Sequence, residues 1–179
     1  GIPQGTVGDT VILQLNDEEM LEHAFSIHGK TLACVIIEPL PANNGLLPQR
    51  PEFLQRIRDL CDEHQVLLIF DEVITGFRFQ QGGVSSVLDI QPDITTLGKA
   101  IGGGLPVGAY GARDEIMSQL APEGPVYQAG TLSGNPIAMA AGSAAIDLLD
   151  NSCYDKLEAL GIHLEDSINQ ILSKHDFPF

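Results

Sequence analysis

Lys99 is one of only nine basic residues in a chain of 179, and its neighbours are small and uncharged: Gly98, Ala100, and the run Gly102 to Gly104. An amine in that setting loses some of its preference for the charged form, and a Schiff-base nucleophile needs the uncharged amine. A solvated loop lysine would fit the same pattern. Asp71 follows five apolar residues, Val66 to Phe70, so its carboxylate is expected to be half-buried and to need a cation or a donor. A helix cap, a structural ion pair or a protonated heterocyclic nitrogen would each satisfy it. Thr131 sits between Gly130 and Leu132, shortly before a helix expected from Asn135-Pro136. A hydroxyl and free N–H groups at a helix start suit a phosphate, but Ser133 or Asn135 could equally supply an ordinary N-cap there.

Several other chemistries fail on spacing. The stretch Gly98 to Gly111 contains neither G-x-x-x-x-G-K-[ST] nor G-x-G-x-x-G, so neither nucleotide loop is expected. Its glycines are read instead as sites of close backbone approach and positive-φ turns around a bulky planar ligand. No G-x-S-x-G occurs, which argues against a nucleophile-elbow hydrolase. The five histidines are scattered without a Cys or carboxylate at ligand spacing, so no metal is expected. Cys34, Cys61 and Cys153 are odd in number and far apart. They read as small apolar residues of a reducing, cytoplasmic compartment.

The elements that must position these groups alternate along the chain. Thr10 to Leu15 reads as a strand, followed by a helix capped at Asn16-Asp17 and ended by Gly29. Leu32 to Ile37 and Val66 to Phe70 are apolar on both faces, as buried parallel strands are. Between them Pro51 opens a helix with apolar Phe53, Leu54, Ile57, Leu60 and Cys61 at helical spacing. Further strands are expected at Ile94 to Leu97 and Pro106 to Tyr110, and helices at Asp114 to Leu120, Ile137 to Leu149 and Tyr154 to His175. The alternation predicts an α/β layered fold around a mostly parallel sheet flanked by helices. In such sheets ligands bind beyond the carboxyl ends of the strands. Glu38-Pro39 with its Asn-rich loop, Asp71-Glu72 and Gly98-Lys99 all fall there.

Composition sets the outer limits. A 44% hydrophobic and 18% charged chain is globular rather than disordered. Nine Lys plus Arg against 24 Asp plus Glu give a net charge of −15, which lacks the basic footprint of a nucleic-acid or anionic-membrane partner. No apolar stretch approaches the roughly 20 residues of a spanning helix, and the N-terminus shows no signal-peptide pattern.

Taken together, four segments carry a family resemblance. They are Val35-Ile36-Ile37-Glu38-Pro39; Leu68-Ile69-Phe70-Asp71-Glu72-Val73 with Thr75-Gly76-Phe77-Arg78; the run Thr96 to Gly111 around Lys99; and Gly124 to Pro136. The sequence resembles the pyridoxal-phosphate-dependent class III aminotransferases, and Gly124 to Pro136 looks like their aminomutase branch. The resemblance implies the large cofactor-binding domain of the fold type I pyridoxal-phosphate enzymes. Residues 1–150 would be its central part, and residues 151–179 a helix leading to a small C-terminal domain that is absent.

It further implies pyridoxal 5'-phosphate as cofactor, with Lys99 holding it as a Schiff base and later shuttling a proton between substrate and cofactor carbons. Asp71 would pair with the pyridinium nitrogen, Val73 would pack on one ring face, and Asn43 would lie beside the phenolic oxygen. Thr131 would bind the cofactor phosphate of the neighbouring subunit in a homodimer. Leu40-Pro41-Ala42-Asn43 replaces the family's usual V-A-G-N, keeping the Asn spacing while stiffening the loop. The implied reaction is intramolecular amino transfer on a small amino-acid semialdehyde. A transaminase using a 2-oxo acid and an inert truncated segment are the other readings. A longer parent would carry the phosphate loop, the second stacking aromatic and the lid.

Overall fold

A computed structural model describes residues 1–175. Four strands form one sheet in the order β1-β2-β3-β4: β1 (Cys34–Ile37), β2 (Leu67–Glu72), β3 (Ile94–Leu97) and β4 (Ala109–Ala112). The first three run parallel and β4 returns antiparallel to β3. Among the described residues seven helices accompany them: α1 (Gln4–Gly8), α2 (Glu18–His28), α3 (Pro51–His64), α4 (Ser85–Leu88), α5 (Asp114–Met117), α6 (Pro136–Asp147) and α7 (Asn151–Lys174). A 3₁₀ turn spans Lys99–Gly102. Among the described residues no helix is long and apolar enough to cross a membrane.

Local sequence explains most of these elements. Asp17 caps α2 by accepting a hydrogen bond from the Met20 amide at 2.8 Å, with Glu18 and Glu19 in the positive first turn. Pro51 occupies the first turn of α3, where its missing N–H costs nothing. The apolar stripe of α3 then meets Leu21 and Phe25 of α2 and Leu68 and Phe70 of β2 in one core. That core covers one face of β1 and β2.

Three expectations change. Thr10 to Leu15 forms no strand. It pairs with no ladder; several of its residues line a cavity of about 350 Å³ against α2, β1 and α3, since β-propensity needs a neighbouring strand to act on. β1 is not buried on both faces: Val35 and Ile37 pack on the core, but Ile36 is 62% exposed. The physical reason is that β1 is an edge strand with helices on one face only. The strand expected at Pro106 to Tyr110 begins later, at Ala109.

At the amino end of the sheet, Asp93 joins three elements. It accepts from the Leu68 amide at 2.8 Å and pairs with Arg58 at 2.9 Å and Arg113 at 3.2 Å. Burial opposes the charge on Arg58, but the hydrogen bond and charge of Asp93 outweigh it and raise its pKa. This cluster is structural, at the end of the sheet away from Lys99.

Candidate active site

β2 alternates, with Leu68, Phe70 and Glu72 fully buried on the α3 side and Leu67, Ile69 and Asp71 half-buried on the other. Asp71 and Glu72, adjacent in sequence, therefore point to opposite faces of the sheet. Asp71 pairs in register with Thr96 of β3. Its Oδ1 accepts the Thr96 hydroxyl at 3.3 Å and the Val73 amide at 3.0 Å. No hydrogen bond reaches Oδ2 among the described residues. Of the three partners considered above, neither a helix cap nor an ion pair uses this carboxylate.

Lys99 lies three residues past Thr96, just beyond the carboxyl end of β3 and beside that of β2. It is exposed, enters no ion pair among the described residues, and has a positive φ of 44°. That backbone region is costly for a residue with a side chain, and such strain clusters at functional positions. Val73 packs against the bare Gly98: a Cβ there would stand 3.1 Å from Val73 Cγ1. Asp71, Val73 and Lys99 are thus brought together.

Glycine makes the Lys99 turn possible. Its close approach is to the backbone of α6: a Cβ on Gly142 would sit 2.2 Å from the Ile101 carbonyl oxygen, and one on Gly103 would sit 2.5 Å from the Ala141 oxygen. Gly103 also has φ +57°.

The other two sequence-predicted residues stand apart. Asn43 is exposed in a turn after β1, on the same edge of the sheet. The turn is closed by Leu46 and Leu47 amides donating to the Ala42 and Pro41 carbonyls, and no side-chain hydrogen bond of Asn43 occurs among the described residues. Thr131 is exposed before α6. Asn135 supplies the N-cap, accepting from the Ile137 and Ala138 amides at 3.1 and 3.2 Å, so Thr131 is not needed for it. The Lys99 turn meets α6 near Gly142, six residues along from Pro136, or roughly 9 Å at 1.5 Å per residue. Thr131 precedes Pro136 in the chain, in the turn before the helix.

Two roles escaped the sequence reading, although both residues lie in segments it singled out. Thr96 as the partner of Asp71 depends on strand register, which no local pattern specifies. Glu72 shows no surface signal except its place after an apolar run, yet it is 0% exposed.

The lysine and the half-buried carboxylate thus lie at adjoining strand ends of a mostly parallel α/β sheet, the class of fold in which ligands bind at those ends. The aminotransferase class-III family matches residues 4–178, and the chain belongs to that family. It is 53% identical over 99% of its length to glutamate-1-semialdehyde 2,1-aminomutase of Nitratidesulfovibrio vulgaris (strain Miyazaki F). It is 52% identical over 98% of its length to the protein of that name from Akkermansia muciniphila. The chain spans 42% and 41% of those relatives. Among solved structures, an omega-transaminase from Sphaerobacter thermophilus superposes with a TM-score of 0.91 at 40% identity, covering 97% of this chain and 40% of that one. A transaminase with PLP bound superposes at 0.90 and 34% identity, covering 97% of this chain and 42% of that one. The fold is that of the fold type I pyridoxal-phosphate enzymes.

Proposed function

We propose that this chain is part of a pyridoxal-phosphate-dependent aminomutase that converts glutamate-1-semialdehyde to 5-aminolevulinate by moving an amino group between neighbouring carbons. The observation that carries the reading is the placement of Asp71 and Lys99 at adjoining strand ends, in a chain about half identical to proteins of that name. The residues suit the cofactor. Among the described residues, no hydrogen bond engages Asp71 Oδ2, which can accept from a protonated ring nitrogen, and no carboxylate pairs with Lys99 Nζ.

When bound, pyridoxal phosphate supplies the electron sink that lets a substrate carbon release its proton. Lys99 Nζ would be the nucleophile that holds the cofactor, then the base that carries a proton between substrate and cofactor carbons. Asp71 keeps the ring nitrogen protonated, and its own orientation is fixed by Thr96 and the Val73 amide. Val73 supplies an apolar surface for one ring face, and Asn43 a polar group for the phenolic oxygen. Thr131 offers its hydroxyl to the phosphate of a second subunit, and Asn135 leaves it free of the capping task. The whole protein is then a cytoplasmic homodimer, with residues 1–150 central to its large domain and residues 151–179 leading to its small one. Residues 176–179 of that span lie outside the described residues.

The test uses a protein of the relatives' full length containing this segment, supplied only with the semialdehyde and the cofactor. The expected result is 5-aminolevulinate without an external amino donor, and its loss, together with the cofactor's visible absorbance, in Lys99→Ala. Failure to form 5-aminolevulinate would reject the aminomutase. Net amino transfer to pyruvate or 2-oxoglutarate would instead support a transaminase, a reading favoured by the likeness to the Sphaerobacter enzyme. Residues 1–179 alone, if they hold cofactor through Lys99 and turn over, would exclude an inert segment.

A further inference from the structure

The buried acid next to the site has no role in the chemistry above, yet it organises the segment that carries Val73. Glu72 is 0% exposed on the core face of β2 and has no cationic partner among the described residues. Three neutral donors meet it instead: the Thr75 hydroxyl at 3.2 Å, the Val84 amide at 2.5 Å and the Ser85 amide at 3.3 Å. A side chain on Gly83 would collide with the carboxylate, its Cβ standing 2.2 Å from Oε1. The near end of the loop is closed by the Gly76 amide donating to the Glu72 carbonyl at 2.9 Å. Gly76 in turn has room for no Cβ against Leu97, the residue before Gly98-Lys99.

Both ends of the 73–85 loop are therefore tied to one residue. Its middle is strained and tethered elsewhere: Phe77 has φ 61°, its carbonyl accepts the Tyr154 hydroxyl at 3.2 Å, and Gln81 donates to the Leu149 carbonyl at 2.7 Å. A buried acid with three donors is expensive to disturb, because each donor loses its partner along with the acceptor. Such a residue holds a loop in a conformation that the loop would not keep unaided.

We propose that Glu72 is a positioning residue of the site: it clamps the 73–85 loop so that Val73 stays against Gly98 beside Lys99, and so presets the surface that receives the cofactor ring. This rests on the reading of Lys99 and Asp71 as the cofactor-holding pair. Glu72 itself touches no reacting atom.

The experiment uses the full-length protein with Glu72→Gln, Glu72→Ala and Thr75→Val, the last removing one donor and leaving the acid. Three quantities are read: hydrogen exchange at the Val84 and Ser85 amides, pyridoxal-phosphate affinity from its absorbance, and the split between kcat and KM. Glu72→Ala is expected to lose protection at both amides and to bind cofactor at least about tenfold more weakly, as for loss of a buried acceptor that leaves its donors unpaired. Glu72→Gln should restore shape and part of the affinity, Thr75→Val should show a smaller loss, and kcat should fall more than KM rises. Should Glu72→Ala not fold, Glu72→Gln and Thr75→Val decide the matter by the same readouts. Variants that fold with unchanged exchange and unchanged affinity would overturn the proposal, and if Lys99→Ala alone lost cofactor the reading of the pair would survive. An unaltered protein without Lys99-dependent absorbance would overturn both.

Discussion

Adjacent side chains of one strand have unlike fates here because a strand alternates its faces. Asp71 faces the open side with one oxygen unengaged, while Glu72 enters the core with its carboxylate fully engaged. The same contrast separates the cysteines. Cys34 is exposed, whereas Cys61 is 0% exposed and burial pushes its thiol up to about 12. The thiolate is the reactive form, so iodoacetamide at neutral pH should label Cys34 and spare Cys61 until the chain is unfolded. Peptide mass spectrometry reads this directly, and early labelling of Cys61 would contradict its burial. The linkage has a definite sign. Above pH 9.0, the ordinary value for the thiol, the unfolded state releases a proton that the folded state keeps. Stability present below that pH should then decline as pH rises towards 12, by up to about 1.4 kcal/mol per pH unit. Denaturant midpoints measured against pH, with Cys61→Ala as the comparison, should show the extra decline only when the thiol is present.

At the scale of elements, the close crossing of the Lys99 turn over α6 requires bare backbone. Gly142→Ala would drive a methyl group into the Ile101 carbonyl oxygen, with an expected cost of about 1–3 kcal/mol. Gly161, in α7, meets nothing within 4 Å. Gly161→Ala should therefore stabilise the helix by about 0.5–1 kcal/mol. Thermal melts of the two variants should move in opposite directions, and a neutral Gly142→Ala would mean that the crossing is looser than described. Helices were the easily read elements: the Asp17 cap, Pro51 and the apolar stripe of α3 act within a few residues of themselves. Strand limits were less legible, because whether Thr10 to Leu15 forms a strand depends on a partner that its own residues do not encode.

At the scale of the whole molecule, the proposed service of Thr131 to a second subunit is a statement about assembly rather than about one chain. Subunit mixing tests this in the full-length protein. Lys99→Ala and Thr131→Val subunits should each be impaired as homodimers. If Thr131 serves its neighbour, each mixed dimer regains one intact site, giving about one intact site in four after random exchange. No recovery, with subunit exchange verified, would return Thr131 to its own chain.

The α/β alternation and the places of Asp71 and Lys99 at strand ends could be read without coordinates, because the apolar runs that build strands also mark where strands end. Sequence also supplied the helix caps, whose partners lie within three residues. It left the oxygens of Asp71 unassigned, since Thr96 is 25 positions away and only register brings it there. It placed Glu72 beside Asp71 at a strand end but left its burial unread, because burial of a carboxylate is decided by the loop that folds over it. It left Thr131 open between cap and phosphate ligand until the structure gave the cap to Asn135. Contacts made through chain neighbours are written in local pattern, whereas contacts made through register and layer packing exist only when the sheet has formed.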